Sequence, residues 1–240
     1  MIEEGLHGEP YPYQHMDPEW QALYAPWKSQ HGQDKYVFQK LGKNGYFVDI
    51  GAHDGITLSN THTLEEYFGW KGICIEPMPH QFKRLQENRS SVNYNCAIYD
   101  SEGVEKFIFV DSDGYPDMLS GIQRDFNLKR TNEMFAECKG DVKARLIDVH
   151  TRLFNIVMDG CTNIDFLSID TEGSEIKILK SIDYDMFEFK IIMFENPERV
   201  DMVKFFAQRG YIFSDRLGPD DVYINPKIYE KDHKLFPLWK

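Results

Sequence analysis

Long apolar runs are missing from this chain. No stretch approaches the roughly 20 residues that cross a bilayer, so no membrane-spanning helix is expected. Positive charge is in short supply: 27 Lys and Arg stand against 39 Asp and Glu, a formal net charge of −12. That balance opposes a nucleic-acid backbone as partner, because such affinity depends on Lys and Arg neutralising phosphates. Cysteine is scarce. Cys74, Cys96, Cys138 and Cys161 form no CxxC pair and no metal-ligand spacing. Cys74 and Cys96 fall in predicted strands and read as small core residues, and the expected compartment is reducing and cytoplasmic. The start, Met1 to Gly5, lacks a charged-then-apolar signal pattern. Internal repeats and low-complexity tracts are absent too. What is present is an ordinary globular composition, 42% hydrophobic and 14% aromatic over 240 residues. It fits one domain with terminal additions and a sizeable core.

Three parts are expected along the chain. Residues 1–28 form an arm rich in Pro and aromatics, with a short helix near Pro18–Tyr24; its aromatics either cover the domain or offer flat faces to a ring. Residues 29–226 form the main domain, and 227–240 a tail packed on the surface. Strands are predicted at 46–50, 72–76, 92–97, 104–110, 143–148, 164–169, 189–195, 211–214 and 221–224. Helices are predicted at 29–41, 58–68, 78–89, 151–158, 174–181 and 197–209. Strands alternating with helices imply a mostly parallel sheet covered on both faces. The last two strands are joined by a short link with Gly218-Pro219, which suits an antiparallel hairpin closing the sheet. Residues 111–142 are polar and contain Gly114 and Gly140; an insert of this length reads as a lid or substrate loop.

The densest signal is Tyr46-Phe47-Val48-Asp49-Ile50-Gly51-Ala52-His53-Asp54-Gly55. An apolar strand leads into a turn with two glycines, where the backbone can turn tightly and approach a ligand. A second strand, Gly72 to Ile75, ends in Glu76. Strand, Gly-rich turn, helix and a second strand ending in a carboxylate make a nucleotide-ribose site, with Glu76 accepting from the ribose hydroxyls. The charge points to the ligand. A pyrophosphate needs bare backbone amides, usually Gly-x-Gly-x-x-Gly. Here the turn is Gly51-x-x-x-Gly55 with Asp49 and Asp54 beside it. Those carboxylates repel a pyrophosphate and suit an ammonium and a sulfonium, the charges of S-adenosylmethionine. A tight turn in some other α/β protein is the plain alternative.

Two more strands end in acids: Ile164–Ile169 before Asp170-Thr171-Glu172-Gly173, and Ile191–Phe194 before Glu195-Asn196. Ligands of an open α/β sheet sit outside the carboxyl ends of its strands, so Asp49, Glu76, Asp170 and Glu195 should share one rim. Like charges gathered there destabilise the protein unless a cation or ligand shares them.

These pieces resemble the FkbM family of S-adenosylmethionine-dependent methyltransferases. The matching segments are Ser29-Gln30-x-Gly32-Gln33-Asp34, Val48 to Gly55 with Ser59-Asn60-Thr61, Ile75-Glu76-Pro77, Asn95-Cys96-Ala97, Ile169 to Gly173 with Glu175, and Phe194-Glu195. They span residues 29–196 in the family's order. The resemblance implies a class I methyltransferase (Rossmann-like) α/β fold: a seven-stranded, mostly parallel sheet with an antiparallel last strand and helices on both faces. It also implies methyl transfer to oxygen, commonly a sugar hydroxyl in glycan, capsule or natural-product pathways. By motif position, Gly51, Asp54 and Gly55 would surround the methionine part of the cofactor, beside Asp49 and Asp170. Ser59 and Asn60 would hold its carboxylate, and Glu76 with Pro77 the ribose. Asn95, Cys96 and Ala97 would border the adenine, and Gln30 and Gln33 would approach from the N-terminal side.

The donor methyl is already activated, so the protein has to position reactants and help deprotonate the acceptor. Asp170 is the first candidate base; Glu172 and Glu195 are alternatives, and His53, His80 and His150 stand further back. Asp170 with Glu195-Asn196 also resembles the acid, then acid-plus-amide, spacing of metal-dependent O-methyltransferases, and oxygen ligands suit Mg²⁺. Against that, Glu195 can pair with a cation and Asn196 can cap a helix at Pro197. Two other functions stay in view: an NAD-type oxidoreductase, disfavoured by the missing middle glycine, and a non-catalytic binding module. The acceptor is expected to be a small molecule or glycan, with a phosphate or phenolic group as the less favoured alternative. The assembly is expected to be a monomer or homodimer.

Overall fold

The strand Tyr46–Ile50 (β1) is buried at every position after its first. Alternate residues enter different cores. Phe47 packs with Val37, Phe38, Leu64, Phe68 and Leu85 on one face. Val48 and Ile50 pack with Phe154, Ile178, Leu179 and Phe206 on the other. A strand covered on both sides is apolar at most positions, and the one exception, buried Asp49, has its carboxylate held by Thr61. The computed structural model describes residues 25–111, 117–126, 132, 143–158 and 160–227. Most of the arm, most of the insert, Cys138 and nearly all of the tail lie outside the described residues.

In chain order the other strands are β2 (Lys71–Ile75), β3 (Val92–Tyr94), β4 (Ala97–Ile98), β5 (Gly103–Asp111), β6 (Gly121–Ile122), β7 (Lys143–Arg152), β8 (Asn163–Ile169), β9 (Glu188–Glu195), β10 (Ile212–Leu217) and β11 (Asp220–Ile224). The helices are α1 (Gln33–Leu41), α2 (His62–Phe68), α3 (Pro79–Asn88), α4 (Phe154–Val157), α5 (Glu175–Ser181) and α6 (Val203–Ala207). Local chemistry sets several ends. Pro79 opens α3, where its missing N–H is no loss. Gly42 and Gly69 close α1 and α2 with positive φ.

Seven strands form the main sheet in the order β10-β11-β9-β8-β1-β2-β3. β1 pairs in parallel with both β2 and β8, and β8 with β9. β11 runs antiparallel between β9 and β10. The last strand is therefore antiparallel and lies inside the sheet, with β10 at the edge. The chain runs outward from β1 to β3 and returns on the other side at β8. The order reverses between β1 and β8, and the crevice beyond their carboxyl ends is where an open sheet holds its ligand.

The predicted strands 104–110 and 143–148 do not join this sheet. They become β5 and β7 of a second, four-stranded sheet, β4-β7-β5-β6. Most of β7 is exposed, as in a sheet with one open face. The other face packs Phe107, Phe109, Ile122 and Val149 against Met78, Ala97 and Tyr99. The predicted strand 92–97 breaks for the same reason: β3 pairs with β2, and β4 with β7. Helices come out shorter than their patterns. Strand β7 runs on through Arg152, leaving only Phe154–Val157 helical. The predicted helix 197–209 reduces to Val203–Ala207, after a turn bracketed by Asn196. Trp27 stacks on Phe68 at 5.5 Å and lies 5.9 Å from Phe38, adding to the core under α1 and α2. Among the described residues no helix is long and apolar enough to cross a membrane.

Candidate active site

A cavity of about 270 Å³ opens at the reversal point. Gly51 follows β1 with φ 89°, and a Cβ there would meet the Asp170 carbonyl oxygen at 1.7 Å. The two strand ends touch backbone to backbone, so only glycine fits. The next turn is stapled by side chains. Asp54 accepts from Ile56 N (2.9 Å), Thr57 N (2.7 Å) and Thr57 Oγ1 (2.8 Å). Burial alone would raise its carboxyl, yet His53 and these donors hold it well below the usual range. Ser59 Oγ accepts from Thr61 N and His62 N at the start of α2. Arg89, just past α3, closes the turn from behind. Its side chain is 1% exposed; it donates to Glu65 (2.7 Å), the Gly55 carbonyl (3.0 Å), Ser59 Oγ (3.4 Å) and Thr61 Oγ1 (2.9 Å). Thr61 in turn donates to Asp49 at 2.6 Å.

After β2, Glu76 is buried and lines the cavity; its carboxylate accepts from His53 N (2.9 Å) and Met78 N (2.8 Å). Beyond β8, Glu175 straps the acidic loop. Its Oε1 accepts from Thr171 N (2.7 Å), Thr171 Oγ1 (2.9 Å) and Gly173 N (3.1 Å). Glu172 is thereby held at φ 57° beside the cavity. Carboxylate oxygens of Asp170, Glu175 and Glu195 all lie within 4.8 Å of one another. Asp170 keeps open surface, but that surface faces the cavity. Burial, then Glu195, Glu172, Asp220 and Glu175, push its carboxyl well above the ordinary value. Glu175 is raised by burial and by Glu195.

Asp220 joins this group from β11, directly opposite Glu195. Burial, partly offset by the Gln33 amide at 2.9 Å, pushes its carboxyl up to about 6. A carboxyl that binds its proton more firmly when folded favours folding at low pH, and that contribution is lost as pH rises from about 4 through 6. Asp220→Asn removes the burden. Relative to the parent, the variant's stability is expected to be nearly unchanged near pH 3, about 1 kcal/mol higher at pH 4.5 and about 3 kcal/mol higher at pH 8, with the melting temperature following. A difference that is flat with pH, measured by scanning calorimetry, would refute this.

Of the residues singled out in the sequence, Gln30, Gln33, Asp49, Gly51, Ser59, Asn60, Glu76, Pro77, Cys96, Ala97, Asp170, Glu172 and Glu195 line the cavity. Asp54, Gly55, Asn95 and Asn196 do not. Asp54 and Gly55 build the turn instead. Asn95 donates to the carbonyls of Glu76 and Pro77, fixing the chain after β2. Asn196 donates to Val200 O and Asp221 and accepts from Val200 N, so its amide serves a structural turn rather than the acids. His53 lines the cavity; His80 lies edge-on to Phe109, and His150 is exposed on the second sheet. Asp220, Arg89 and the strap by Glu175 were missed as site features. Asp220 had a signal: in an antiparallel strand the first residue, not the last, reaches the rim.

A family model described as the methyltransferase FkbM domain matches residues 49–213, more than half of the chain. A search of curated proteins finds no match. Among solved structures, a methyltransferase FkbM from Methylobacillus flagellatus KT is similar at 13% identity and a TM-score of 0.44, covering 85% of this chain and 50% of that one. A TehB-like SAM-dependent methyltransferase from Corynebacterium glutamicum gives 9% identity and 0.41, over 86% and 94% of the two chains. A putative RNA methyltransferase from Pyrococcus horikoshii gives 12% and 0.38, over 80% and 81%. Likenesses at this level carry no functional argument, and this chain spans about half the length of the Methylobacillus protein. On the family match over residues 49–213, the chain belongs to the FkbM methyltransferase family.

Proposed function

We propose that this chain transfers a methyl group from S-adenosylmethionine to a hydroxyl oxygen, with a sugar hydroxyl as the acceptor. One observation carries the reading. Six carboxylates, from Asp49, Glu76, Asp170, Glu172, Glu195 and Asp220, line the cavity, and no Lys or Arg does among the described residues. A wall of that charge repels a pyrophosphate, which counts against NAD, and favours a ligand bearing an ammonium and a sulfonium. The sheet order, with its antiparallel strand β11 between β9 and β10, supports the class I methyltransferase assignment.

When bound, the cofactor supplies a methyl on a positively charged sulfur, already activated for displacement. The chain's own residues do the rest. Glu76, oriented by two backbone amides, faces the cavity and accepts from the ribose hydroxyls. Asp49, held by Thr61, faces the cavity as a counter-charge. The apolar side chains of Cys96, Ala97, Ile98 and Ile122 give the adenine a dry wall. Asp170, at the tip of β8, takes the acceptor's proton; burial and the neighbouring carboxylates raise its proton affinity above that of an ordinary carboxylate, the direction a general base needs.

A second reading adds a divalent cation, favoured by the convergence of Asp170, Glu175 and Glu195. Oxygen donors of this type fit Mg²⁺, which needs only one or two carboxylates. Asp170 and Glu195 would hold it; Glu175 is engaged by Thr171 and Gly173, and Asn196 by Val200 and Asp221. Calorimetric titration tests the cofactor reading, and a chelator tests the cation. S-adenosylhomocysteine is expected to bind at micromolar concentration and NAD not at all. Binding of NAD, or of neither, removes the methyltransferase reading. Methyl transfer that is unchanged by a chelator removes the cation.

A further inference from the structure

Five described non-glycine residues have positive φ, and three of them, His53, Leu58 and Glu172, line the cavity. Leu58 is the odd member. Its φ is 54°, a left-handed conformation that short polar residues tolerate by bonding to nearby backbone. Leucine has no such group. Its Cβ crowds the backbone there with nothing local to offset it. The residue is also 41% exposed, so core packing does not offset the strain either.

The strain persists because both flanks are fixed. On one side Asp54 holds the amides of Ile56 and Thr57 and the Thr57 hydroxyl. On the other, Ser59 Oγ holds the amides of Thr61 and His62, and Arg89 reaches that same oxygen. Leu58 is the pivot between two pinned halves. A residue kept in a strained conformation by its surroundings, with a large apolar side chain left open beside a cavity, fits a contact to a ligand.

We propose that Leu58 is a cofactor-contacting residue: an apolar cover over the S-adenosylmethionine bound against the Gly51–Asn60 loop, and a determinant of affinity for it. The inference rests on the cofactor reading above. It explains why a polar turn, built from Thr57, Ser59 and Asn60, keeps one exposed leucine at its least comfortable position.

The test uses two variants of the full chain, with S-adenosylhomocysteine as the probe. Leu58→Asn removes the apolar surface and tolerates the left-handed backbone. Its melting temperature is expected to rise by about 2–4 °C and its affinity for S-adenosylhomocysteine to fall about tenfold. Leu58→Met keeps an apolar side chain, and its affinity should stay within about twofold of the parent. A purely structural leucine behaves in the opposite way: Asn lowers the melting temperature and leaves affinity alone. That result overturns the proposal. So does a stabilised Asn variant with parental affinity, a destabilised one with weakened affinity, or a Met variant as weak as Asn. A parent protein that binds no S-adenosylhomocysteine removes the cofactor reading itself, and this inference with it.

Discussion

Replacing Asp170 by Asn is expected to abolish methyl transfer while making the unliganded protein harder to melt. The two effects share one cause. Asp170 opens on the cavity and is flanked by protein and by Glu195, Glu172, Asp220 and Glu175, so its negative charge is unfavourable in the folded state. Because its carboxyl is raised above the unfolded value, its contribution favours folding at low pH and is lost as pH increases. The Asn variant carries no such charge. Its melting temperature should exceed the parent's by several degrees at pH 8, and the gap should close as pH falls. Activity moves the other way. An amide of the same size takes no proton, and loss of a general base reduces turnover by about 10²–10⁴-fold. Affinity for S-adenosylhomocysteine should survive at micromolar level, which separates lost chemistry from a lost site. A variant that melts lower than the parent at pH 8, or that retains full turnover with the cognate acceptor, contradicts this account. Stabilisation gained by disabling a residue is the usual sign of a site held against its own electrostatics.

The second large effect is predicted for Arg89→Met. Arg89 does not itself line the cavity, yet it organises the loop that forms much of the wall. Its guanidinium serves Glu65, Gly55, Ser59 and Thr61 at once, from a side chain that is 1% exposed. Burial alone would raise Glu65; the Arg89 charge and the Ser90 hydrogen bonds keep it low and ionised. Methionine matches the apolar stem but strands a buried carboxylate, and breaking one side of such a pair costs about 3–5 kcal/mol. At roughly 2–4 °C per kcal/mol for a chain of this size, the melting temperature should drop by about 10 °C. The loop also loses its rear clamp, and Asp49, whose carboxyl burial pushes up, loses the Arg89 charge that opposes that rise. Affinity for S-adenosylhomocysteine is therefore expected to fall with stability. Arg89→Lys should recover part of the stability but not the fork that holds Gly55, Ser59 and Thr61 together. Arg89→Met combined with Glu65→Gln should be less damaged than Arg89→Met alone, since the stranded charge is gone. A loss below about 1 kcal/mol by denaturant unfolding would show that the network is not a unit.

Much of this was legible in the residues because the signals are local. The run Phe47 to Ile50 reads as a strand buried on both faces, and it is one. The glycines of the following turn, the acids ending β1, β8 and β9, and the hairpin of β10 and β11 all follow from short-range pattern and turn chemistry. Periodicity was less reliable for partners. The alternation in 104–110 and 143–148 identified strands, but a strand's pattern does not say which sheet it joins. Side-chain disposal was the weakest point. Asn196 and Asn95 stand beside site residues in sequence, yet their amides are consumed by nearby carbonyls.

By itself, then, the order of residues determined an α/β chain with acidic strand ends, a tight glycine turn and a family whose chemistry those features suit. Only the tertiary structure decided what meets across the rim. It set Asp220 opposite Glu195, tied Gln33 to Asp220 across 187 residues, and placed Arg89 behind a turn that begins more than thirty positions earlier. It also split the strands between two sheets and left Leu58 strained beside the cavity. The reason is physical. Secondary structure and turns answer to neighbours a few residues away, whereas electrostatics, burial and strain depend on whichever distant segments the fold brings into contact.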